Sequence, residues 1–168
     1  MNNILSTSVI RFIILVLVQV LICSNINFLG YINPYIYIIF ILLFPLKNNR
    51  LLLLISSFLI GLTIDVFLDS GGVHAAACVT AAYARPVILK YAFGMLYEHQ
   101  NIRFGNAELG SLIGYVSIFT IIHHIVLFSL EVFNIFNILV ILQKALFSSI
   151  FTIILSVLII IIFSRNSK

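Results

Sequence analysis

The carboxyl-terminal stretch from Ile138 to Phe163 holds 26 residues and only one charged side chain, Lys144. A helix crosses the hydrocarbon core of a bilayer with about 20 mostly apolar residues, so this stretch predicts a transmembrane helix. The rest of the chain is similar, with 62% hydrophobic residues, 8% charged residues and a mean hydropathy of +1.23. Because a soluble domain carries roughly 25% charged residues, this composition excludes a protein that folds in water.

Five further apolar stretches precede this one. We predict an all-α integral membrane protein in which residues 1–168 form a single transmembrane domain. Its six transmembrane helices are expected at about 9–26, 31–46, 51–68, 73–91, 109–132 and 138–163. The second is short for a span, although Pro34 is tolerated in its first turn, and Arg85-Pro86 interrupts the fourth. No small-x-small cleavage site follows the first stretch, so we expect an uncleaved first helix.

The basic residues indicate how the helices are oriented. They fall in alternate loops, and the loops between them contain no Lys or Arg, so the positive-inside rule places both termini in the cytoplasm. Lys144 is the exception: either its side chain snorkels to the outer boundary, or the sixth helix begins later than predicted. The net charge of +4 is spread between apolar runs and indicates topology rather than a nucleic-acid-binding patch. The residues that follow the rule are Arg11, Lys47, Arg50, Lys90, Arg103, Arg165 and Lys168.

Tyrosines are expected at the outer membrane interface. The chain has no Trp, so Tyr must supply the aromatic residues that lie at headgroup level. Tyr31, Tyr35 and Tyr37 cluster at one end of the second predicted helix. We therefore predict that these three side chains lie near the outer edge of the bilayer.

Ionisable residues inside the spans are the candidates for function, because a charge in the bilayer is costly. Asp65 lies about one turn from the outer end of the third helix. It is either a proton, ligand or partner site, or a boundary residue that reaches water or caps the turn after the helix. His74 lies at a similar depth, and we expect the Asp65 carboxylate to contact its imidazole. Arg85 lies roughly 11 Å deeper, too far to pair with Asp65, so it is expected to snorkel to the cytoplasmic headgroups. Pro86 is expected either to kink the helix or to start an interfacial one.

The other residues with reactive side chains give weaker signals. His123 and His124 are adjacent in the fifth helix and point about 100° apart, so they cannot ligate one metal ion. We expect one to be buried and the other to lie at a helix interface. Cys23 and Cys78 are far apart in apolar runs and are expected to be packing residues. No phosphate loop, catalytic triad or carboxylate pair is present, so we predict no catalytic residue, no cofactor and no metal site.

Small residues at a spacing of four predict close helix packing. Such residues occur as Ala76, Thr80 and Ala84 and as Ala77 and Ala81 on the fourth helix, and as Gly110 and Gly114 on the fifth. Small side chains at this spacing allow helix backbones to approach closely. The partner helix is expected either within the bundle or in another protein.

Two stretches of the chain occur together in one known family. Residues 28–37 read Phe-Leu-Gly-Tyr-Ile-Asn-Pro-Tyr-Ile-Tyr. Residues 61–86 carry a motif of six residues: Gly61, Asp65, Gly72, His74, Arg85 and Pro86. This combination resembles MreD, the rod shape-determining membrane protein family, in its Bacteroidetes-like form. The detailed likeness covers residues 28–89, and the rest agrees in length, hydropathy and number of helices.

The resemblance implies a non-enzymatic, multi-pass component of the bacterial inner membrane. Such a protein belongs to the cell-wall elongation complex and helps to maintain cell shape during peptidoglycan biosynthesis. Its implied partners are MreC, the actin-like MreB filament, the glycosyltransferase RodA, a penicillin-binding transpeptidase and the lipid bilayer, with no nucleic acid. The six residues of the motif are then candidates for partner binding or for structure.

The same resemblance raises an alternative function. It implies a fold similar to the substrate-binding subunits of energy-coupling factor transporters, so the chain could be such a subunit for a vitamin-type small molecule. Those subunits carry an Ala-x-x-x-Ala face on the first helix for docking their transport partner. The first helix here has no pair of small residues at that spacing, which favours the first function.

Overall fold

The computed structural model describes residues 2–28, 32–46, 49–98, 102, 104, 107–133 and 135–165. Within these ranges the chain is helical and contains no β-strand beyond one isolated bridge between Phe28 and Ile32. The predicted contributions of Gly30, Tyr31, Lys47, Arg103 and Lys168 lie outside the described residues. The helices are α1 (Asn2–Leu21), α2 (Ile39–Leu42), α3 (Arg50–Leu68), α4 (Val73–Phe93), α5 (Met95–Glu98), α6 (Leu109–Val132) and α7 (Ile138–Arg165), and 3₁₀ turns lie at Cys23–Asn25, Ile36–Ile38 and Ile135–Asn137.

Four stretches of the described chain are long and apolar enough to cross a membrane: Ser8–Asn25, Arg50–Leu68, Leu109–Val132 and Ile138–Phe163. Their outward faces carry large apolar side chains, such as Val66 at 74% exposure. An exposed apolar surface of this extent is stable against lipid and not against water. The chain is therefore a membrane-embedded helical protein.

Most predicted helices lie close to their expected positions. α6 has the predicted bounds, and α3, α4 and α7 differ from prediction by one or two residues at an end. The first helix differs more, because α1 begins at Asn2 and ends at Leu21 rather than extending over 9–26. At Leu21 the helix gives way to the Cys23–Asn25 turn, where the Asn25 side chain donates to the carbonyl groups of Val20 and Leu21.

The prediction of a regular helix over 31–46 is wrong. Residues 32–46, called the core segment below, contain only a 3₁₀ turn and the four-residue helix α2. Pro34 removes a backbone donor, and Tyr35 has the non-helical dihedral angles φ −112° and ψ 71°. Every residue from Tyr35 to Leu42 is buried, so this part of the segment has no lipid-facing side and passes through the middle of the bundle.

Helix α4 packs between α3 and α6, and α6 packs in turn against α7. The contact between α3 and α4 is close at Gly61: a Cβ atom there would lie 2.5 Å from Ala75 Cα and 2.7 Å from the His74 carbonyl oxygen. No side chain fits between the two backbones at this crossing. Lys144, the cation that departs from the positive-inside rule, forms an ion pair of 2.7 Å with Glu131 of α6 near the start of α7.

Candidate functional site

The non-helical backbone of the core segment needs hydrogen-bond partners from the surrounding helices. Where a helix is broken at membrane depth, backbone N–H and C=O groups lose their partners within the helix, and no water replaces them. Each such group left unpaired costs about 1–3 kcal/mol. Polar side chains from α1, α4, α6 and α7 satisfy the groups at both ends of the segment.

Gln19 and Thr152 bind the start of the core segment. The Gln19 side chain, fully buried on α1, donates to the Pro34 carbonyl oxygen at 3.1 Å. The Tyr35 backbone N–H donates to the Thr152 hydroxyl of α7 at 3.0 Å. Two helices from opposite ends of the sequence therefore fix the point at which the chain enters the core.

Arg85 and Tyr115 bind its other end. The Arg85 Nη2 group donates to the carbonyl oxygens of Leu42 and Phe44 at 3.1 and 2.6 Å, and Nε donates to the Tyr115 hydroxyl at 2.9 Å. The Tyr115 hydroxyl donates to the same Leu42 carbonyl at 3.0 Å. A cation placed at the carboxyl end of a helix also interacts favourably with the helix dipole.

The prediction that Arg85 snorkels to the headgroups is therefore wrong. Its side chain points into the bundle and is only 3% exposed. The carbonyl groups freed at the end of α2 bind the guanidinium more strongly than a distant interface does, because charged hydrogen bonds are the strong ones. Pro86 lies inside α4, which continues to Phe93.

Three histidines and Tyr37 form a buried layer between these two ends. The Tyr37 hydroxyl lies 2.8 Å from His74 Nδ1 and 3.0 Å from His123 Nε2. His123 Nδ1 lies 3.4 Å from His124 Nδ1, and His124 Nε2 lies 3.3 Å from the Thr152 hydroxyl. The layer thus runs across the bundle from α4 through the core segment to α6 and α7.

One arrangement of protons satisfies the layer with neutral rings. His124 Nδ1 lies 2.9 Å from the Thr120 carbonyl oxygen, which only accepts, so His124 carries its proton there. His123 Nδ1 then accepts only the weaker branch of this shared N–H, at 3.4 Å. His123 carries its own proton on Nε2 and donates it to the Tyr37 oxygen. Tyr37 in turn donates to His74 Nδ1. These contacts link α4, the core segment, α6 and α7 to one another.

His123 and His124 are both fully buried, and both make polar contacts. His124 also lies at the interface with α7, where its Nε2 contacts Thr152, so the expected pairing of a buried histidine with one at a helix interface is close to what is found. Tyr35 and Tyr37, predicted near the outer edge of the bilayer, have their side chains buried inside the bundle. Cys23 and Cys78 are free and buried, as expected for packing residues, and Cys78 Sγ lies 3.9 Å from His123 Nε2.

Asp65 caps the start of α4. Its Oδ1 accepts from the His74 backbone N–H at 3.0 Å and its Oδ2 accepts from the Ala75 N–H at 2.8 Å. The Ser70 hydroxyl donates to Oδ1 at 2.6 Å. A carboxylate at this position satisfies N–H groups that have no partner inside the helix and compensates the positive end of its dipole.

The expected contact between Asp65 and the His74 imidazole is therefore wrong in its chemistry. The two residues are neighbours, but the carboxylate binds the backbone of His74 while the ring turns to Tyr37. Of the alternatives for Asp65, the structure supports the capping residue. The turn itself requires left-handed backbone at Asp69 and Gly72, with φ of 51° and 94°.

Most residues of the motif therefore act in holding the helices and the core segment together. Gly61 permits the close crossing of α3 and α4, Asp65 and Gly72 begin α4, and His74 and Arg85 bind the core segment or its side chains. The small residues behave differently from one another: Ala77 and Ala81 are buried, whereas Ala76 and Thr80 are exposed on α4.

Sequence reasoning missed Gln19, Tyr115 and Thr152. A usable signal existed for Thr152, because Ser148, Thr152 and Ser156 are spaced by four and form a buried polar stripe on α7. Four buried side-chain atoms have no hydrogen-bond partner among the described residues: Gln19 Oε1, Thr120 Oγ1, Ser148 Oγ and Ser156 Oγ. Tyr115 carried no such spacing, because its partners come from the core segment and α4.

The chemistry available to this site is limited. In the described parts of the chain, no group of three His, Cys, Asp or Glu side chains is placed to hold a metal ion. The ionisable side chains that lie in the core use their polar atoms to hold backbone or each other. No family model, curated protein or solved structure matches this chain.

Proposed function

We propose that this chain is a non-enzymatic component of the bacterial cell-wall elongation complex that binds MreC in the inner membrane. The observation that carries the proposal is the use of the motif residues. Asp65, His74 and Arg85, the ionisable residues of the MreD-like motif, are buried and engaged with backbone or with Tyr37. These three side chains hold the bundle together, and among the described residues they form no acid–base pair, which favours a protein that acts by binding partners.

The proposal includes six crossings with both termini in the cytoplasm. Contacts between successive segments support it: Gln19 lies beside Pro34, Asp65 beside His74, and Glu131 beside Lys144, so each segment turns back along the previous one. The core segment would make the second crossing. Its fifteen residues reach at most about 37–39 Å if seven are helical and eight extended, enough for a hydrocarbon core of roughly 30 Å.

The burial of the core segment also supports a crossing at that place. Non-helical backbone at membrane depth is tolerated only where protein surrounds it. The residues from Tyr35 to Leu42 meet this condition, and Arg85 satisfies the carbonyl groups at their end. A centre whose broken backbone is hydrogen-bonded to the surrounding helices at both ends suits a protein that positions partners rather than one that opens and closes around a ligand.

The first test is genetic and biochemical. Depletion of the chain in its host should convert rods into rounded cells, and expression of the wild-type chain should restore them. MreC should co-purify with the tagged chain, together with MreB, RodA or the transpeptidase when the complex is kept intact. Rod-shaped growth after full depletion, with no recovery of MreC, would refute the proposal.

Topology can be tested by cysteine labelling. Cys23 and Cys78 are buried, so an impermeant thiol reagent should report on new cysteines alone. Ser70→Cys and Asn134→Cys should be labelled from the periplasm, whereas Asn48→Cys should be labelled only after the cells are opened. Labelling of position 48 in intact cells would contradict the six-crossing arrangement.

The transporter alternative predicts a different result with the purified protein. A substrate-binding subunit binds its vitamin saturably and with a fixed stoichiometry. We expect no such binding here, measured by calorimetry with a panel of vitamins. Saturable binding inside the bundle, combined with normal cell shape after depletion, would favour the transporter function.

A further inference from the structure

A cavity of about 250 Å³ lies where the core segment ends and α3 begins. Arg50 and Arg85 line it together with apolar side chains that include Leu46, Leu53 and Leu89. Leu53 and Leu89 are buried, Leu46 is half-buried and Arg50 is exposed. The cavity therefore runs from a surface arginine at its mouth to a buried arginine inside.

The guanidinium of Arg85 is only partly used by the protein. Its Nε and Nη2 groups bind Tyr115, Leu42 and Phe44. A guanidinium has five N–H donors, of which two are on Nη1. Across the described ranges, Nη1 forms no hydrogen bond, so two donors remain for a ligand.

Arg50 supplies the second cation. Its Nη2 donates to the Tyr83 carbonyl oxygen at 3.3 Å, and its guanidinium carbon lies 4.7 Å from the centre of the Tyr83 ring. These contacts hold the side chain at the mouth of the cavity. Neither Arg50 nor Arg85 forms an ion pair with a carboxylate in the described part of the chain.

Two cations line this cavity, and no carboxylate side chain that the structure describes pairs with either of them. Arg85 is nearly inaccessible to solvent, and a buried charge is stable only when hydrogen bonds or an opposite charge compensate it. The carbonyl groups at the end of α2 supply part of this compensation. A bound anion would supply the rest.

We propose that this cavity binds a phosphate group, presented by the headgroup of an anionic phospholipid. Guanidinium groups match phosphate oxygens in bidentate geometry, and basic pockets between membrane helices are known sites for phospholipid headgroups. The leucines give the cavity an apolar wall, of which half-buried Leu46 is the part next to the acyl chains. A space of this size holds a phosphate with its glycerol and leaves the chains in the bilayer.

The phosphate could also come from solution, as inorganic phosphate or a soluble phosphate ester. The arginines would bind the same group from either source, and the two are separated by experiment. Only the assignment of the cytoplasmic leaflet rests on the proposed function and its topology. Anion binding at Arg50 and Arg85 does not depend on membership of the elongation complex.

The test uses the full-length chain, purified in a neutral detergent and freed of lipid. Phosphatidylglycerol, diacylglycerol with the same acyl chains, inorganic phosphate and glycerol 3-phosphate are added separately. Thermal unfolding and native mass spectrometry then measure stabilisation and bound molecules. We expect phosphatidylglycerol to raise the melting temperature and to remain bound as one molecule, and diacylglycerol to do neither, since a ligand of the native state alone stabilises it.

Substitutions at the cavity test whether the lipid binds there. Arg50→Gln removes the exposed cation and should weaken phosphatidylglycerol binding about tenfold, the factor that corresponds to one charged hydrogen bond. Leu46→Phe narrows the cavity from a half-buried position and should weaken phosphatidylglycerol binding by a similar factor. Arg11→Gln, the same substitution on α1 away from the cavity, should leave binding unchanged. Both test positions are partly or fully exposed, so the fold should persist, and unliganded melting temperatures will check this.

Each outcome decides the matter. Stabilisation by phosphatidylglycerol alone supports a lipid headgroup, and equal stabilisation by the soluble phosphates supports the same site filled from solution. Equal effects of phosphatidylglycerol and diacylglycerol would overturn the proposal, as would unchanged binding in both Arg50→Gln and Leu46→Phe. Loss of binding with normal MreC recovery would separate this site from the proposed function.

Discussion

Replacement of Asp65 provides the sharpest test of how the bundle is held together. The carboxylate accepts from two backbone N–H groups at the start of α4, those of His74 and Ala75, and from the Ser70 hydroxyl. Asp65→Leu removes every acceptor, while Asp65→Asn keeps one oxygen and replaces the other with a donor. The two substitutions therefore differ in how many amide groups they leave unpaired.

The expected magnitudes follow from that difference. A buried amide without a partner costs about 1–3 kcal/mol, so Asp65→Asn should lower the free energy of unfolding by about that amount and Asp65→Leu by about 2–6 kcal/mol. Asp65 is only 5% exposed, so water cannot readily replace the lost oxygen. Ser70 is half-buried, and its hydroxyl can turn to another partner.

Reversible unfolding in mixed micelles with increasing dodecyl sulfate, followed by circular dichroism, would measure these changes. Asp69→Asn is the matched control. It makes the same chemical change four residues away at an exposed, left-handed position that Asn tolerates, so it should stay within about 0.5 kcal/mol of wild type. Equal effects of Asp65→Asn and Asp65→Leu would refute the capping role and indicate a carboxylate that reaches solvent.

Two further substitutions test other parts of the same architecture. Gly61→Ala should lower the free energy of unfolding by about 1–3 kcal/mol or more, because the new Cβ would lie 2.5 Å from Ala75 Cα. Gly110→Ala is the control: its new Cβ meets no neighbouring atom within 4 Å, so it should be neutral or stabilising in the same unfolding assay. An equal loss in both would contradict the close crossing. Tyr37→Phe should cost about 1–3 kcal/mol, because it leaves two buried ring nitrogens without their partner, whereas exposed Tyr83→Phe should change little. A melting temperature of Tyr37→Phe equal to that of wild type would show that the histidine layer adds nothing to stability.

The sequence predicted part of the contact between the third and fourth helices. Depth in the helices pairs Asp65 with His74, and the MreD-like motif adds Gly61; the structure does bring the three together. The atoms that make contact differ from those predicted. Whether Asp65 binds an imidazole or a backbone amide depends on where the first turn of α4 ends, and helix boundaries are the least certain part of any pattern.

The predictions for Arg85 and for the second helix were wrong for a related reason. Hydropathy records that residues 31–46 are apolar, and an apolar stretch is equally consistent with a lipid-facing helix and with a segment buried on all sides. Once the segment is broken, its free carbonyl groups attract a cation, and Arg85 turns inward to them. The two errors have one cause. The residue pattern of α4 does not reveal that the backbone of the core segment is broken and offers free carbonyl groups.

The sequence by itself determined the solvent of this protein and the long helices, because runs of about 20 apolar residues with few charges are stable only as helices in lipid. Only the tertiary structure decided which polar side chains serve the core. Tyr35 and Thr152 lie 117 residues apart, and Tyr37 and His123 lie 86 apart. Such pairings depend on the packing of α4, α6 and α7 around a broken segment, whose unpaired backbone groups select their partners by distance in space rather than along the chain.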